Sequence, residues 1–387
     1  MYNFDEIANR LDTASYKWEN KDILPLWVAD MDFITPSFIT KPIIERINKG
    51  AFGYTYIKDE YFIAYKDFYK RRHNINLDIK NMQFVTGVVP LISSLVRGIT
   101  NIGDNVLVLS PCYNIFYNSI RNNDRIIKTS NLIFKDYKYE IDFLDLELKL
   151  KDPKTSLLII SNPMNPIGRL IKEEELIKIL ELCKKYNVIL LSDEIHAEIV
   201  RPNLKYNSVL KIIDSYKENV IVAISASKCF NMAGLNGAIS YCVSSILNER
   251  IRKSINKDEV AEPNAFVQDT FISALNNGDL WLDEMNQYVY NNKLYVKEFI
   301  EKNIPEFKYI ISDSLYLCWV YINNINSIEF LKFLEEEYKV KFSDGYEYGN
   351  NSLNFIRINV ATSKLNVVEA MKRLKEGYIK YKNISHT

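Results

Sequence analysis

Lys228 lies in Ser225-Ala-Ser-Lys-Cys-Phe-Asn-Met-Ala-Gly-Leu235, directly behind the apolar run Val220–Ile224. A lysine at the end of a buried strand, among small hydroxyl residues, is partly desolvated. Its pKa falls and its amine becomes nucleophilic, as Schiff-base chemistry requires. Most lysines nevertheless sit on surfaces, so residue type and place leave both readings open. Asp193 follows another apolar run, Val188–Leu191. A carboxylate there must be paired, protonated or coordinated. It either pairs with an arginine or caps a helix, or it keeps a pyridine nitrogen protonated as an electron sink. His196, three residues on, suits a satisfied hydrogen-bonding role better than a catalytic one.

Gly87-Val88-Val89-Pro90 precedes an apolar segment, Leu91–Thr100, that reads as a helix. Its N-terminal amides could receive an anion, usually phosphate, although one glycine-to-helix junction is a weak signal. In Phe355-Ile-Arg-Ile-Asn-Val360, a period of two puts Phe355, Arg357 and Asn359 on one face. That face is either solvated or presents a guanidinium fork to a carboxylate. Tyr61, Tyr65, Phe68 and Tyr69 fall at helical spacing within Asp59–Arg72, a packed stripe rather than a base-stacking platform.

These residues need a scaffold, and the middle of the chain supplies its pattern. Val106–Leu109, Leu157–Ile160, Val188–Leu191, Val220–Ile224 and Ile239–Val243 are short and uniformly apolar. They read as strands buried on both faces of a mostly parallel sheet. Lys172–Tyr186 reads as an intervening amphipathic helix with an acidic first turn. Four of the strands end in polar clusters: Ser110-Pro-Cys-Tyr113, Ser161–Gly168, Ser192–His196 and Ser225–Lys228. Ligands of open α/β sheets bind outside the carboxyl ends of the strands, so four clusters in register imply one shared site. The last third changes character, with a long helix over Trp281–Glu301. Leu315–Ile322 and Phe355–Val360 read as strands, and Ser327–Tyr338 and Leu365–Tyr381 as helices of a smaller α+β unit. The expected fold is α/β: a large domain with a mostly parallel sheet sandwiched by helices, plus a small α+β domain. The boundary is expected near residues 285–295.

Composition bounds the function. With 49 basic and 49 acidic side chains among 387 residues the formal net charge is +0, which gives no bulk attraction for nucleic acid or an anionic membrane. No apolar run approaches the ~18 residues of a membrane span, and Met1–Arg10 carries Asp5 and Glu6 rather than a secretory h-region. Five scattered cysteines without C-x-x-C, and three histidines (His73, His196, His386), argue against a disulfide scaffold or a zinc site. Free thiols in a reducing cytoplasm are the expectation.

Several longer segments occur in a characteristic order. They are Leu26-Trp-Val-Ala-Asp-Met-Asp-Phe33, Phe52-Gly-Tyr-Thr55, Thr86-Gly-Val-Val89, Asn162-Pro-Met-Asn-Pro-Ile-Gly-Arg169, Ser192-Asp-Glu-Ile-His196, Ser227–Leu235 and Phe355-Ile-Arg-Ile-Asn359. Together they resemble pyridoxal-phosphate enzymes of the aspartate aminotransferase fold, and more narrowly the MalY/PatB family of cystathionine β-lyases (β-C-S lyases). The resemblance covers nearly the whole chain.

The resemblance implies a role for each matching residue. Lys228 would carry pyridoxal 5'-phosphate covalently and later move the substrate's α-proton. Asp193 would pair with the pyridine nitrogen, Asn165 and His196 would approach the phenolic oxygen, and Tyr113 would stack on the ring. The amides of Gly87, Val88 and Val89, with Ser225 and Ser227, would hold the phosphate. Tyr54 would reach the phosphate of a neighbouring subunit, making a homodimer with shared active sites. Arg357 would bind the substrate carboxylate, assisted by Asn165, while the strap containing Trp27 and Ala29 closes over the substrate. The resemblance also places residues 1–45 with the small domain, giving 46–288 and 1–45 plus 289–387. The implied reaction is β-elimination of cysteine S-conjugates to pyruvate, ammonia and a thiol. An aminotransferase uses the same lysine, aspartate and arginine, and a cofactor-loaded regulatory protein is a third reading. The chain departs from the family at Ser343-Asp-Gly-Tyr-Glu-Tyr-Gly349, where a Pro-Gly-x-x-Phe-Gly stretch is usual. It also departs at Met164, Cys229 and Asn236, which stand for the common His, Thr and a basic phosphate ligand.

Overall fold

The computed structural model describes residues 1–385; His386 lies outside them. Seven strands form the large sheet: β1 (Met82–Val85), β2 (Asn105–Ser110), β3 (Ile126–Asn131), β4 (Thr155–Ser161), β5 (Ile189–Asp193), β6 (Val220–Ile224) and β7 (Ala238–Tyr241). Their order is β1-β7-β6-β5-β4-β2-β3. The pairs from β6 to β3 are parallel. β7 runs antiparallel to both β6 and β1.

The apolar runs are strands because both of their faces are covered. Val106, Val108, Leu157, Ile159, Ile221 and Ala223 pack into one buried cluster with helices Val88–Ile99 and Ser245–Lys257. Their neighbours Leu107, Leu109, Leu158, Ile160, Val220, Val222 and Ile224 point into the opposite cluster. That alternation with period two is what a doubly covered sheet demands. Helix Glu173–Lys185 buries Leu176, Ile179, Leu180 and Cys183, the stripe expected from its spacing. Glu175 reaches back to the Lys172 amide at 2.9 Å and helps fix the helix start.

The C-terminal unit carries a second, antiparallel sheet. Its strands are β8 (Lys308–Ile310), β9 (Leu317–Tyr321), β10 (Ser343–Asp344) and β11 (Phe355–Asn359), in the order β8-β9-β11-β10. The 25-residue helix Asp279–Asn303 runs from the large unit to this one. Leu24–Pro25 pairs in parallel with Val340–Lys341. Helix Ser37–Asn48 instead packs against Val267–Asn277, where Ser273 Oγ donates to the Phe38 carbonyl at 2.6 Å. Among the described residues no helix is long and apolar enough to cross a membrane, and no group of His, Cys, Asp and Glu could hold a metal ion.

Strand register brings the polar clusters together. Ser161 lies opposite Asp193, and Asp193 opposite Ala223. The ends of β4, β5 and β6 therefore open onto one edge of the sheet, facing the small unit.

Candidate active site

The turn after β6 that carries Lys228 is fixed from several sides. Ser225 Oγ donates to the Gly237 carbonyl at 2.6 Å and accepts from the Ser227 amide at 3.0 Å. Tyr65, from the aromatic stripe, accepts from the Ala226 amide at 3.2 Å. Phe230, two residues beyond the lysine, is fully buried against Phe38, Phe68 and Trp281. Anchors of this size are worth about 3–5 kcal/mol relative to alanine, which limits movement of the turn.

Lys228 Nζ donates to the Ala29 carbonyl at 2.7 Å. The same oxygen accepts from Tyr316 at 2.9 Å. Burial pulls the Lys228 pKa down, the Asp30 charge pushes it up, Arg357 pulls it down and Asp193 pushes it up. Asp193 is 4% exposed. Burial pushes its pKa up to about 7, against the Ile195 amide that donates to Oδ1 at 3.1 Å; neighbouring Glu194 adds to the rise and Lys228 opposes it. Glu194 is itself buried and takes hydrogen bonds from Ser208 Oγ at 2.6 Å and the Val209 amide at 3.0 Å. The structure thus separates two adjacent carboxylates, one satisfied by Ser208 and Val209 and one at the site. His196 is buried, and desolvation, together with the Lys228 and Arg357 charges, holds its pKa well below the usual imidazole range. Its Nδ1 has no hydrogen-bond partner.

The helix Val88–Ile99 starts at Gly87, whose φ of +139° is open to glycine and strained for other residues. No side chain caps it, and the first ladder bond runs from the Leu91 amide to the Gly87 carbonyl. The Val88 and Val89 amides precede that ladder, and both residues line the cavity. This cavity of about 210 Å³ is lined by Gly87, Val88, Val89, Tyr113, Asn165 and Asp193. His196, Ser227, Lys228, Ala29, Asn236 and Gly237 complete most of its wall.

Arg357 is 4% exposed on β11, so the expectation of a possible solvated face is set aside: all five β11 residues are buried. Its guanidinium donates to the Trp27 carbonyl at 2.9 Å, Ser343 Oγ at 3.2 Å and Asn165 Oδ1 at 3.4 Å, and lies 4.7 Å from the Tyr348 ring centroid. Its Nε is buried without a partner. Trp27 offers the site its carbonyl, while its ring packs on Tyr16 and under Lys341. Tyr54 is fully exposed in the single chain and does not line the cavity. Cys229 and Met164 are buried outside the lining, whereas Asn236 adopts φ +54° within it.

Several site residues escaped sequence reasoning. Tyr316, Asn231 and Asn359 hold the strap through long-range bonds, Tyr316 by one and the two asparagines by two each. Asn359 Nδ2 donates to the Val28 and Asp30 carbonyls at 2.5 and 2.6 Å, and Asn231 brackets Met31 from both sides at 3.0 and 2.9 Å. Ser343 and Tyr348 lie in the divergent loop, and that divergence was the available signal.

Residues 21–374 match the family described as aminotransferase class I and II. The chain belongs to this family. Among its members, cystathionine β-lyase PatB of Bacillus subtilis is 32% identical over 382 residues, spanning 96% of this chain and 99% of PatB. Cystalysin of Treponema denticola, whose crystal structure contains pyridoxal 5'-phosphate, superimposes with a TM-score of 0.95 at 28% identity, covering 98% of this chain and 100% of cystalysin. The pyridoxal-phosphate-bound C-S lyase of Staphylococcus hominis gives 0.91 at 30% identity, covering 97% and 98%. The α/β aminotransferase-type fold is therefore established.

The donor set fits such a cofactor. The cavity is lined by a buried carboxyl for a pyridine nitrogen, the uncapped helix start and the Ser227 hydroxyl for a phosphate, and one amine for an aldehyde; Ser225 stands behind Ser227, outside the lining.

Proposed function

We propose that this chain is a pyridoxal-phosphate-dependent carbon–sulfur β-lyase acting on cysteine S-conjugates such as cystathionine or cystine. The carrying observation is that Lys228, Asp193 and the uncapped helix start at Val88–Val89 line one cavity, with Arg357 directly behind Asn165. When bound, pyridoxal phosphate supplies an electron sink for the charge left on a deprotonated substrate Cα.

Each residue then has a task. Lys228 anchors the cofactor by its amine and, once substrate has taken its place, receives the α-proton on Nζ. Asp193, ionised against the cofactor's pyridine nitrogen, keeps that nitrogen protonated. The Gly87–Val89 turn and Ser227 hold the phosphate, with Ser225 bracing Ser227. Tyr113 covers one face of the ring. Asn165 and neutral His196 face the phenolic oxygen. Arg357 grips the substrate carboxylate, and its unpartnered Nε is available for that second contact. The strap residues Trp27 and Ala29 exclude water from above. Tyr54 acts from a second copy, so the assembly is a homodimer; its full exposure in the single chain supports this assignment. The working division is 46–288 against 1–45 plus 289–387; the two separate sheets support its C-terminal boundary, while helix Ser37–Asn48 packs on the large unit. The five cysteines are free and buried, which suits a cytoplasmic enzyme.

The test is pyruvate release from L-cystathionine by purified, cofactor-saturated protein without added 2-oxo acid. Steady pyruvate with stoichiometric thiol supports the lyase. Product only after a 2-oxo acid is supplied makes it an aminotransferase and overturns the proposal. Lys228→Ala is expected to abolish both turnover and the visible absorbance of bound cofactor; unchanged turnover would remove Lys228 from the mechanism.

A further inference from the structure

The strap over the cavity is held down by an ion cluster that the proposed chemistry does not use. Lys17, 3% exposed, donates to Asp32 Oδ2 at 3.0 Å and lies 3.6 Å from Asp30 Oδ1. Arg10 reaches Asp30 Oδ2 at 2.7 Å and Asp32 Oδ1 at 3.4 Å. Trp18 Nε1 donates to Asp32 Oδ1 at 2.8 Å. Arg10 and Lys17 come from a segment with no helix or extended strand of its own. Two carboxylates sit two residues apart on one short strap, and burying them costs free energy unless cations compensate. The cluster therefore dictates where the strap runs.

The two carboxylates are not equivalent. Asp32 has both oxygens occupied. Asp30 Oδ1 is buried without a hydrogen bond. Asp30 directly follows Ala29, whose carbonyl takes the Lys228 proton donor at 2.7 Å.

We propose that Asp30 is a positioning residue for the Lys228 amine: clamped by Arg10 and Lys17, it presents the Ala29 carbonyl to Nζ and supplies the negative charge that lets Nζ carry a proton.

Among the influences on Lys228, burial is the largest and disfavours the charge. Asp30 is the foremost opposing one, ahead of Asp193, while Arg357 acts with burial. Tyr316 packs beside it and feels the same Asp30 charge. On the lyase reading, on which this rests, Lys228 must hold a proton between two events. The proton leaves substrate Cα for Nζ. It then passes to sulfur as the Cβ–S bond breaks and sulfur keeps the electron pair. An amine without a counter-charge in a buried site would hold that proton poorly.

The experiment is a pH titration of the visible absorption band of the full-length, cofactor-loaded protein, which follows protonation at the Lys228 nitrogen. Asp30→Asn is expected to lower the midpoint by about one pH unit. Arg10→Gln is expected to raise it, because it removes a cation that competes for Asp30. General damage to the strap would move both variants the same way, and that outcome, or no shift in Asp30→Asn, overturns the proposal. If the protein takes up no cofactor, the lyase reading fails instead. The rate of acetylation of Lys228 against pH, read by mass spectrometry in the same variants, then gives the same two opposed shifts or their absence.

Discussion

Arg357 Nη1 and Asn165 Oδ1 stand 3.4 Å apart, joining β11 of the small sheet to the loop beyond β4 of the large one. The guanidinium is thereby aimed by both units at once. Removing it should cost substrate capture more than chemistry. Arg357→Ala is expected to lower kcat/KM about 100-fold, near 3 kcal/mol, chiefly through KM. Arg357→Lys should recover little, since an ammonium cannot reproduce the planar fork. Steady-state kinetics would show it; an unchanged KM would place Arg357 outside the substrate's reach.

Arg357 also shows what a sequence can reveal. Its strand was evident from alternation, but nothing local told whether its face met water or the strap. Lys228 and Asp193 were legible because their strands are buried on both faces, and a uniformly apolar run ending in polar residues stands out. The same uniformity hid the direction of β7, since a doubly covered strand reads alike either way round. β1, with Gln83, and β3, half polar at the sheet edge, lacked the signal altogether. Tyr316 and Asn231 act through partners some 287 and 200 positions away, and no periodicity encodes such pairs.

Asp193 should leave a pH signature in the cofactor-free protein. Burial raises its pKa to about 7 in the folded chain from an ordinary value near 3.8. Folding therefore favours the protonated form. That contribution is fully present below about pH 4 and is lost as pH rises through about 7. Cofactor-free Asp193→Asn is expected to be more stable than the parent at pH 8, by up to a few kcal/mol, and to match it near pH 4. Urea denaturation at the two values checks this. The same variant should retain cofactor poorly, because the pyridine nitrogen loses its charged partner.

Gly168 ends the Asn162–Gly168 loop at φ +68°. A Cβ there would fall 1.9 Å from Ser312 Oγ and 2.8 Å from the Ser314 carbonyl. Gly168 also accepts from the Asp313 and Ser314 amides at 3.0 and 3.1 Å. Gly168→Ala is expected to destabilise the protein by about 2–4 kcal/mol through strain and overpacking combined. A denaturation midpoint equal to the parent's would show that this crossing between the units is softer than drawn.

Tyr54 calls for complementation rather than a single variant. Tyr54→Phe and Lys228→Ala proteins should each be nearly inactive. If Tyr54 serves the neighbouring site, a reassorted equal mixture should recover about a quarter of parental activity, because half the dimers hold one intact site. No recovery after verified subunit exchange would confine Tyr54 to its own subunit.

The bond from Arg357 to the Trp27 carbonyl links positions 330 residues apart. During translation at about 5–20 residues per second, the strap emerges roughly 15 to 65 seconds before the strand that holds it. From its own synthesis until that strand arrives, Lys228 lies under a strap that lacks its bonds to Arg357 and Asn359. The large sheet can form while the ribosome is still working, but the reaction chamber closes only when the last hundred residues arrive. Catalytic competence is thus a late property of the nascent polypeptide, postponed by the geometry of its own two ends.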